Sequence, residues 1–320
     1  MKTALITGIN GQDGSYLTEL LIKKNYKVWG ILKRNSVAEN QTSRIPNELF
    51  KQVKLEYADM TDMSSLIRVL QLCKPNEIYN LAAQSHVRIS FDQPIYTTDS
   101  IAMGTLNLLE AIRLTCPKAK MYQASSSEMF GNNIDRDGYQ RETTPMSPVS
   151  PYGCAKVYSY NICNNYKNAY DLFVCNGILF NHESPRRGTN FVTNKVVKTA
   201  VEIKKSLKNK LVLGNLGATR DWGHAKDYVK AMWMILQQNT PNNYVCATGI
   251  SHSVQDLVEY TFSKLDLNWK EYVETNAKYL RPEELKDLKG DSTLLRGLGW
   301  EPKYTFETMI DEMIEYWQSL

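Results

Sequence analysis

The chain alternates short apolar runs with longer stretches in which apolar residues recur every three or four positions. Lys2–Thr7 reads as a first strand, and Gly14–Asn25 as a helix with Leu17, Leu20 and Leu21 on one face. Further strands are expected at Lys27–Leu32, Lys54–Tyr57, Glu77–Ala82, Lys120–Ala124 and Leu172–Leu179, with helices at Thr98–Arg113 and Val149–Tyr170. Strands that alternate with helices in this way mark βαβ units around a parallel sheet. After about residue 180 the rhythm loosens. Helices follow near Val192–Lys205, Asp227–Gln238, Val254–Leu265 and Phe306–Trp317, and short strands near Leu211–Leu213 and Tyr244–Ala247. The expected fold is α/β, a Rossmann-type doubly wound parallel sheet over residues 1–180 that carries the catalytic groups. A smaller C-terminal substrate-binding α/β cap is expected over 181–320, with some segments interleaving with the sheet.

Composition narrows the class. A length of 320 residues with 42% hydrophobic content supports a sizeable core. A net charge of +4 with scattered cations gives no reason to expect a nucleic-acid partner. No apolar stretch approaches the roughly 18 residues that span a bilayer, so no membrane partner is expected either. The first strand runs at once into a glycine turn, which leaves no room for a signal peptide. The six cysteines show no CxxC and no framework spacing, and read as reduced thiols. These features point to a soluble, cytoplasmic protein. His86 and His224 lack a ligand constellation with metal spacing, so no metal is expected.

The candidate chemistry lies in two matched pieces. Gly8-Ile9-Asn10-Gly11-Gln12-Asp13-Gly14 sits between the first strand and the first helix. Glycines there allow positive φ and close backbone approach, while a helix N-terminus offers N–H donors to a pyrophosphate. An ordinary strand–turn–helix connection has the same spacing. A ribose hydroxyl is usually held by Asp or Glu at the end of the second strand. This chain has Lys33-Arg34-Asn35-Ser36 instead, which suits a 2′-phosphate and favours NADP over NAD, unless those cations simply face solvent. Asp59 either accepts from an adenine amino group or caps the helix after it.

The second piece is Tyr152 and Lys156, four residues apart in Ser150-Pro151-Tyr152-Gly153-Cys154-Ala155-Lys156. A phenol with a reference pKa near 10 is a poor base at pH 7, and an ammonium one helical turn away favours its phenolate. Upstream, Ser125-Ser126-Ser127-Glu128 follows the fifth strand, where ligands bind in parallel sheets. Ser126 can bond an oxygen undergoing oxidation. Glu128 supplies the base and acid that an elimination needs; otherwise it is a helix-start carboxylate favoured by the dipole.

These residues resemble a known family. GxxGQDGSYL at 8–17, LAAQSHVRISFD at 81–92, SSSEMFG at 125–131, SPYGCAK at 150–156, NGILFNHESPRRGTNFVT at 176–193 and RDWGHAKDYVKAMW at 220–233 are similar to extended short-chain dehydrogenase/reductases. Within them, the chain resembles the GDP-mannose 4,6-dehydratase family over nearly its whole length. The resemblance implies that Gly8, Asn10, Gly11, Gln12, Asp13 and Gly14 line a pyrophosphate turn. It implies Lys33, Arg34, Asn35 and Ser36 at the 2′-phosphate of NADP, and Asp59 and Met60 beside adenine. Leu81, Ala82, Ala83, Gln84, Ser85 and Tyr96 would pass along the cofactor, with Lys156, His182 and Arg187 on its nicotinamide side. Ser126, Glu128, Tyr152 and Lys156 would be catalytic. Ser85, Ser126, Glu128, Asn181, Asn190, Lys195, Arg220, Arg281 and Glu284 would hold the nucleotide sugar, GDP-mannose.

The implied reaction is oxidation at C4, loss of water across C5 and C6, and reduction at C6, with NADP regenerated. The family also implies a homodimer or homotetramer. Three departures stand out: Ser126 where threonine is usual, Lys33 where the first of two arginines is usual, and a longer loop at Asn132–Gln140. A 4-epimerase on the same scaffold would not need a carboxylate at position 128. An NADPH-consuming reductase and a catalytically silent redox sensor are further alternatives, and the intact Tyr152/Lys156 pair speaks against the sensor.

Overall fold

An apolar run such as Ala4-Leu5-Ile6 has no polar side to turn to water and needs cover on both faces. In the computed structural model, which describes residues 1–34, 44–279, 283 and 285–320, helices supply that cover. The strands are β1 Thr3–Thr7, β2 Lys27–Leu32, β3 Val53–Tyr57, β4 Glu77–Asn80, β5 Lys120–Ser126, β6 Val174–Leu179, β7 Asn181–Glu183, β8 Leu211–Leu213, β9 Thr219–His224, β10 Asn243–Cys246, β11 Ser251–Ser253 and β12 Val273–Thr275. Seven of them form one sheet in the order β10-β6-β5-β4-β1-β2-β3, every pair parallel.

The main helices are α1 Gln12–Lys23, α2 Met63–Cys73, α3 Gly104–Thr115, α4 Pro151–Tyr170, α5 Val192–Lys204, α6 Ala225–Leu236, α7 Val254–Lys264 and α8 Phe306–Gln318. One face of the sheet packs on α1 and α6 through Leu17, Leu21, Met232 and Ile235. The other packs on α2, α3 and α4 through Leu66, Leu70, Leu108, Ile112 and Tyr166. A separate cluster joins α5, α7 and α8 through Val196, Ala200, Phe262, Met309 and Met313. Beside it lie a three-stranded sheet in the order β11-β9-β7 and the pair β12-β8.

Local signals decide where elements begin. The Asp62 carboxylate accepts from the N–H groups of Ser64 and Ser65 and starts α2, so the capping role expected of Asp59 falls to Asp62. Ser150 caps α4 by accepting from Gly153 N, with Pro151 in the first turn. The helix expected over Thr98–Arg113 starts earlier, with an α-helical turn at Pro94–Thr98, and passes through a π-helical turn, Asp99–Met103, before α3. Its Ile101 carbonyl accepts from both Thr105 Oγ1 and Ser159 Oγ, which ties it to α4. The strand expected near Tyr244–Ala247 as part of a cap is β10, hydrogen-bonded to β6 in the large sheet.

Gly14 is where α1 meets the turn below it. A Cβ there would come 2.5 Å from Gly8 O and 2.6 Å from Ile9 Cα, both rigid backbone atoms. Gly14→Ala is therefore expected to destabilise the protein by about 1–3 kcal/mol through overpacking, measured as a lower denaturation midpoint.

Candidate functional site

All seven parallel strands end on the same edge of the sheet, and the loops that leave β1, β4, β5 and β6 line one cleft of ≈ 630 Å³. Gly8, Asn10, Gly11, Gln12, Asp13, Gly14, Lys33, Leu81, Ala82, Ala83, Ser85, Ser126, Glu128, Tyr152, Lys156, Asn181, His182, Arg187, Asn190 and Lys195 all contribute to its wall.

The glycine turn is a cradle that side chains would fill. Gly8 has φ +68°, and a Cβ on it would lie 2.9 Å from Ala82 N. Gly11 precedes α1 with no side-chain cap, so the first N–H groups of the helix are left to a ligand. Gln12 is buried; its Nε2 donates to His182 O and Asp13 Oδ1, and its Oε1 accepts from Ser184 Oγ. The next loop is fixed from below. Thr7 Oγ1 accepts from the N–H groups of Leu81 and Ala82, both at 3.0 Å, and donates to Asn80 Oδ1. Such a cradle fits the pyrophosphate of a dinucleotide.

At the end of β2, Lys33 Nζ lies 3.1 Å from Asp59 Oδ2 and donates to Tyr96 Oη. Asp59 Oδ1 accepts from Thr61 N and Oγ1. Arg34 lies over the Tyr57 ring; Asn35 and Ser36 fall outside the described residues. Met60 is buried against Gly104 in the core rather than lining the cleft. Gln84 is spent on its own loop, donating to His86 O and Thr97 Oγ1 and accepting from His86 N.

β5 carries Ser126 to the cleft, and a single 3-10 turn, Ser127–Met129, turns Glu128 inward, where it is buried. Ser126 Oγ accepts from Glu128 N at 3.2 Å and lies beside the Tyr152 phenol. Burial pushes that phenol up to about 12; the neighbouring Ser126 hydroxyl works against the rise and the Glu128 charge adds to it. Lys156 is buried as well, and burial pushes its ammonium down to about 8. Its Nζ donates to Ala124 O at 2.7 Å and lies 5.7 Å from the Tyr152 ring centre. Burial, rather than the neighbouring ammonium, dominates the phenol.

Beyond β6, His182 Nε2 lies 2.8 Å from Asp13 Oδ2, and its Nδ1 lies 2.8 Å from Phe180 O. Arg187 Nε pairs with Glu183 Oε2 at 3.1 Å, and the guanidinium stacks on Phe191 at 3.6 Å. Thr193 Oγ1 also donates to Glu183. Lys195 Nζ donates to Val212 O. Arg220 is buried and donates to Thr219 O and Leu285 O; Arg281 and Glu284 lie outside the described residues. Glu183 and Arg44 were not anticipated. Arg44 Nη1 donates to Asn10 O in the glycine turn, close enough to Arg187 for the two guanidinium groups to repel.

The model of the family GDP-mannose 4,6 dehydratase matches residues 5–313. This chain belongs to that family. "GDP-mannose 4,6 dehydratase 2" of Arabidopsis thaliana is 50% identical over 98% of this chain and 86% of its own length. "GDP-mannose 4,6 dehydratase" of Drosophila melanogaster is 48% identical over 98% of this chain and 85% of its own. Among solved structures, dTDP-glucose 4,6-dehydratase from Bacillus anthracis in complex with NAD shares the fold. Its TM-score is 0.85 at 23% identity, covering 100% of this chain and 97% of the other.

In this family member, Glu183 is a buried carboxylate with two partners. Glu183→Ala leaves the Arg187 guanidinium without its counter-ion, and is expected to cost about 3–5 kcal/mol, read as a fall in the denaturation midpoint. Thr193→Val removes one hydroxyl and should cost only about 1 kcal/mol.

Proposed function

We propose that this chain converts GDP-α-D-mannose to GDP-4-dehydro-6-deoxy-D-mannose and water, with a tightly held NADP. The observation that carries the reading is that Ser126, Glu128, Tyr152 and Lys156 line one cleft with the glycine cradle. A nicotinamide cofactor held over the glycine turn Gly8–Gly14 would supply the hydride chemistry that oxidation at C4 and reduction at C6 require.

The chain's own groups then divide the work. Tyr152 removes the C4 hydroxyl proton while Ser126, beside the phenol, holds that oxygen in place. The new C4 ketone acidifies the C5 hydrogen. Glu128, on the same wall, takes that proton and protonates the departing C6 hydroxyl, so water leaves; when C6 is reduced, the proton that Tyr152 took from the C4 hydroxyl goes to C5. Lys156 is fixed by the Ala124 carbonyl, where its charge favours the phenolate. A 4-epimerase needs nothing from a carboxylate at 128, and the buried position of Glu128 beside Tyr152 favours the dehydratase reading.

For the cofactor, the absence of an acidic residue at the end of β2 and the cations Lys33 and Arg34 support NADP over NAD. Lys195, Asn181 and Asn190 border the same cleft and suit the nucleotide sugar. Self-association as a homodimer or homotetramer fits the exposed apolar residues Ile95, Met103, Leu114, Tyr158 and Tyr170 on the segment before and through α3 and on α4.

Incubation with GDP-mannose should give a product lighter by one water with no net NADPH consumed, whereas UDP- and dTDP-glucose should stay unchanged. A water loss from the glucose nucleotides alone would overturn the substrate assignment. Glu128→Gln should abolish water loss, leaving NADP binding within about twofold; full turnover would remove Glu128 from the mechanism. Because the Lys156 ammonium is held down to about 8, kcat/KM should fall as pH rises through that value and the charge is lost. Lys156→Arg, which keeps its charge, should move that limb to higher pH.

A further inference from the structure

The glycine cradle carries a carboxylate, Asp13, at the very place where an anionic pyrophosphate is expected, and its partner is a buried histidine. We propose that the Asp13–His182 pair sets the chain's relative affinity for the oxidised and reduced forms of its nicotinamide cofactor through a single shared proton. The inference rests on the cofactor reading above.

Counting hydrogens defines the state of the pair. His182 Nδ1 lies 2.8 Å from Phe180 O, a carbonyl with no hydrogen to give, so Nδ1 carries one. The 2.8 Å between Nε2 and Asp13 Oδ2 needs one more. Asp13 Oδ1 accepts from Gln12 Nε2, and Gln12 cannot turn its amide over, because the same Nε2 donates to His182 O while Oε1 accepts from Ser184. The carboxylate is thus held as an acceptor on both oxygens. With its proton the pair is neutral; without it the pair carries one negative charge. The Tyr228 ring, stacked on the imidazole at 4.6 Å, seals the far side.

Charged groups face the pair from several elements. The Arg187 guanidinium, itself paired with Glu183, favours the Asp13 carboxylate and opposes the proton on His182. From α4, Tyr152 and Lys156 both feel the Asp13 charge. Tyr122, Tyr228 and Cys246 are buried and held well above their ordinary values. For His182 itself burial works against the proton, but the Asp13 carboxylate outweighs burial and raises it; Asp13, which burial would raise, is lowered by the imidazolium. The proton therefore stays on as pH rises past the usual histidine range and leaves above it.

Oxidised and reduced cofactor differ by the positive charge of the ring. The reacting end of the cofactor must lie near Tyr152, and the Asp13 charge reaches Tyr152, so the pair's charge is felt there. Loss of the shared proton favours the cationic ring. The ratio Kd(NADPH)/Kd(NADP⁺) should rise with pH by roughly tenfold, the scale of one unit charge acting through a protein-like dielectric.

The test is the pair of dissociation constants for NADP⁺ and NADPH, measured from pH 6 to 9.5 on the full chain, Asp13→Asn and His182→Asn. In the unaltered protein the ratio should climb. Asp13→Asn removes the shared proton and the charge, and should leave only the smaller rise that loss of the Lys156 charge through about 8 contributes, starting from the low-pH value. His182→Asn leaves Asp13 ionised, and should show the same smaller rise from a starting ratio roughly tenfold higher. As a check that needs no variant, the imidazolium of His182, one of 4 histidines, should lose its proton at lower pH in the NADP⁺ complex than in the NADPH complex by NMR. A flat ratio in the unaltered protein overturns the proposal. So does a slope undiminished in both variants, which would assign all of it to Lys156, or an equal loss of both affinities, which would make the pair merely structural. Failure to bind either form of NADP would overturn the cofactor reading itself.

Discussion

Seven strands that all run the same way bring seven C-terminal ends to one edge, and everything chemical in this molecule hangs from that edge. The turn after β1, the loop after β4, the serines after β5 and the histidine after β6 reach a common cleft only because the register is parallel throughout. The polar ladder just below the cleft repeats the same geometry. Thr7 bonds Asn80, Asn80 Nδ2 bonds Gln123 Oε1, and Ser125 bonds Asn176, all buried between neighbouring strands. Buried amides of this kind are stable only when each finds its partner. The loops above them are therefore held at fixed heights relative to one another.

The second constraint is charge without water. Lys156, Asp13, His182, Glu183 and Arg187 sit close together with little access to solvent, and an isolated charge there would be costly. Each has a named counterpart: a carbonyl for Lys156, an imidazole for Asp13, a guanidinium for Glu183. Dehydration across C5 and C6 needs such a setting, because a proton must pass from carbon to a carboxylate without bulk water competing for it. The same low dielectric makes every group in the cleft sensitive to its neighbours' protonation.

Much of the fold could be read from the chain. Runs such as Ala4-Leu5-Ile6 and Lys27–Leu32 declare strands because they are short, apolar and followed by helical spacing, and β2 begins and ends where the pattern places it. β10 was legible as a strand but not by location, since its partner β6 is far away in sequence and nothing local records the pairing. The site follows the same division. Gly8, Glu128, Tyr152 and Lys156 announce themselves by motif. Glu183 and Arg44 do not: Glu183 becomes buried only when β7 pairs with β9, and a lone arginine in a polar stretch carries no spacing to notice. The i, i+4 spacing places the Lys156 ammonium 5.7 Å from the Tyr152 ring centre, but nothing in it records the Ala124 carbonyl to which that ammonium also donates.

The position of β10 bears on how the chain is made. Until residues 243–246 have left the ribosome, β6 presents an open row of backbone donors and acceptors with nothing alongside, and such an edge invites pairing with another chain. The first half of the polypeptide can assemble its glycine turn and first helices early, but it must wait for a segment from the second half before its outermost hydrogen-bonding positions are covered. Cutting the gene at the seam near residue 180 would leave that edge bare of the strand that covers it.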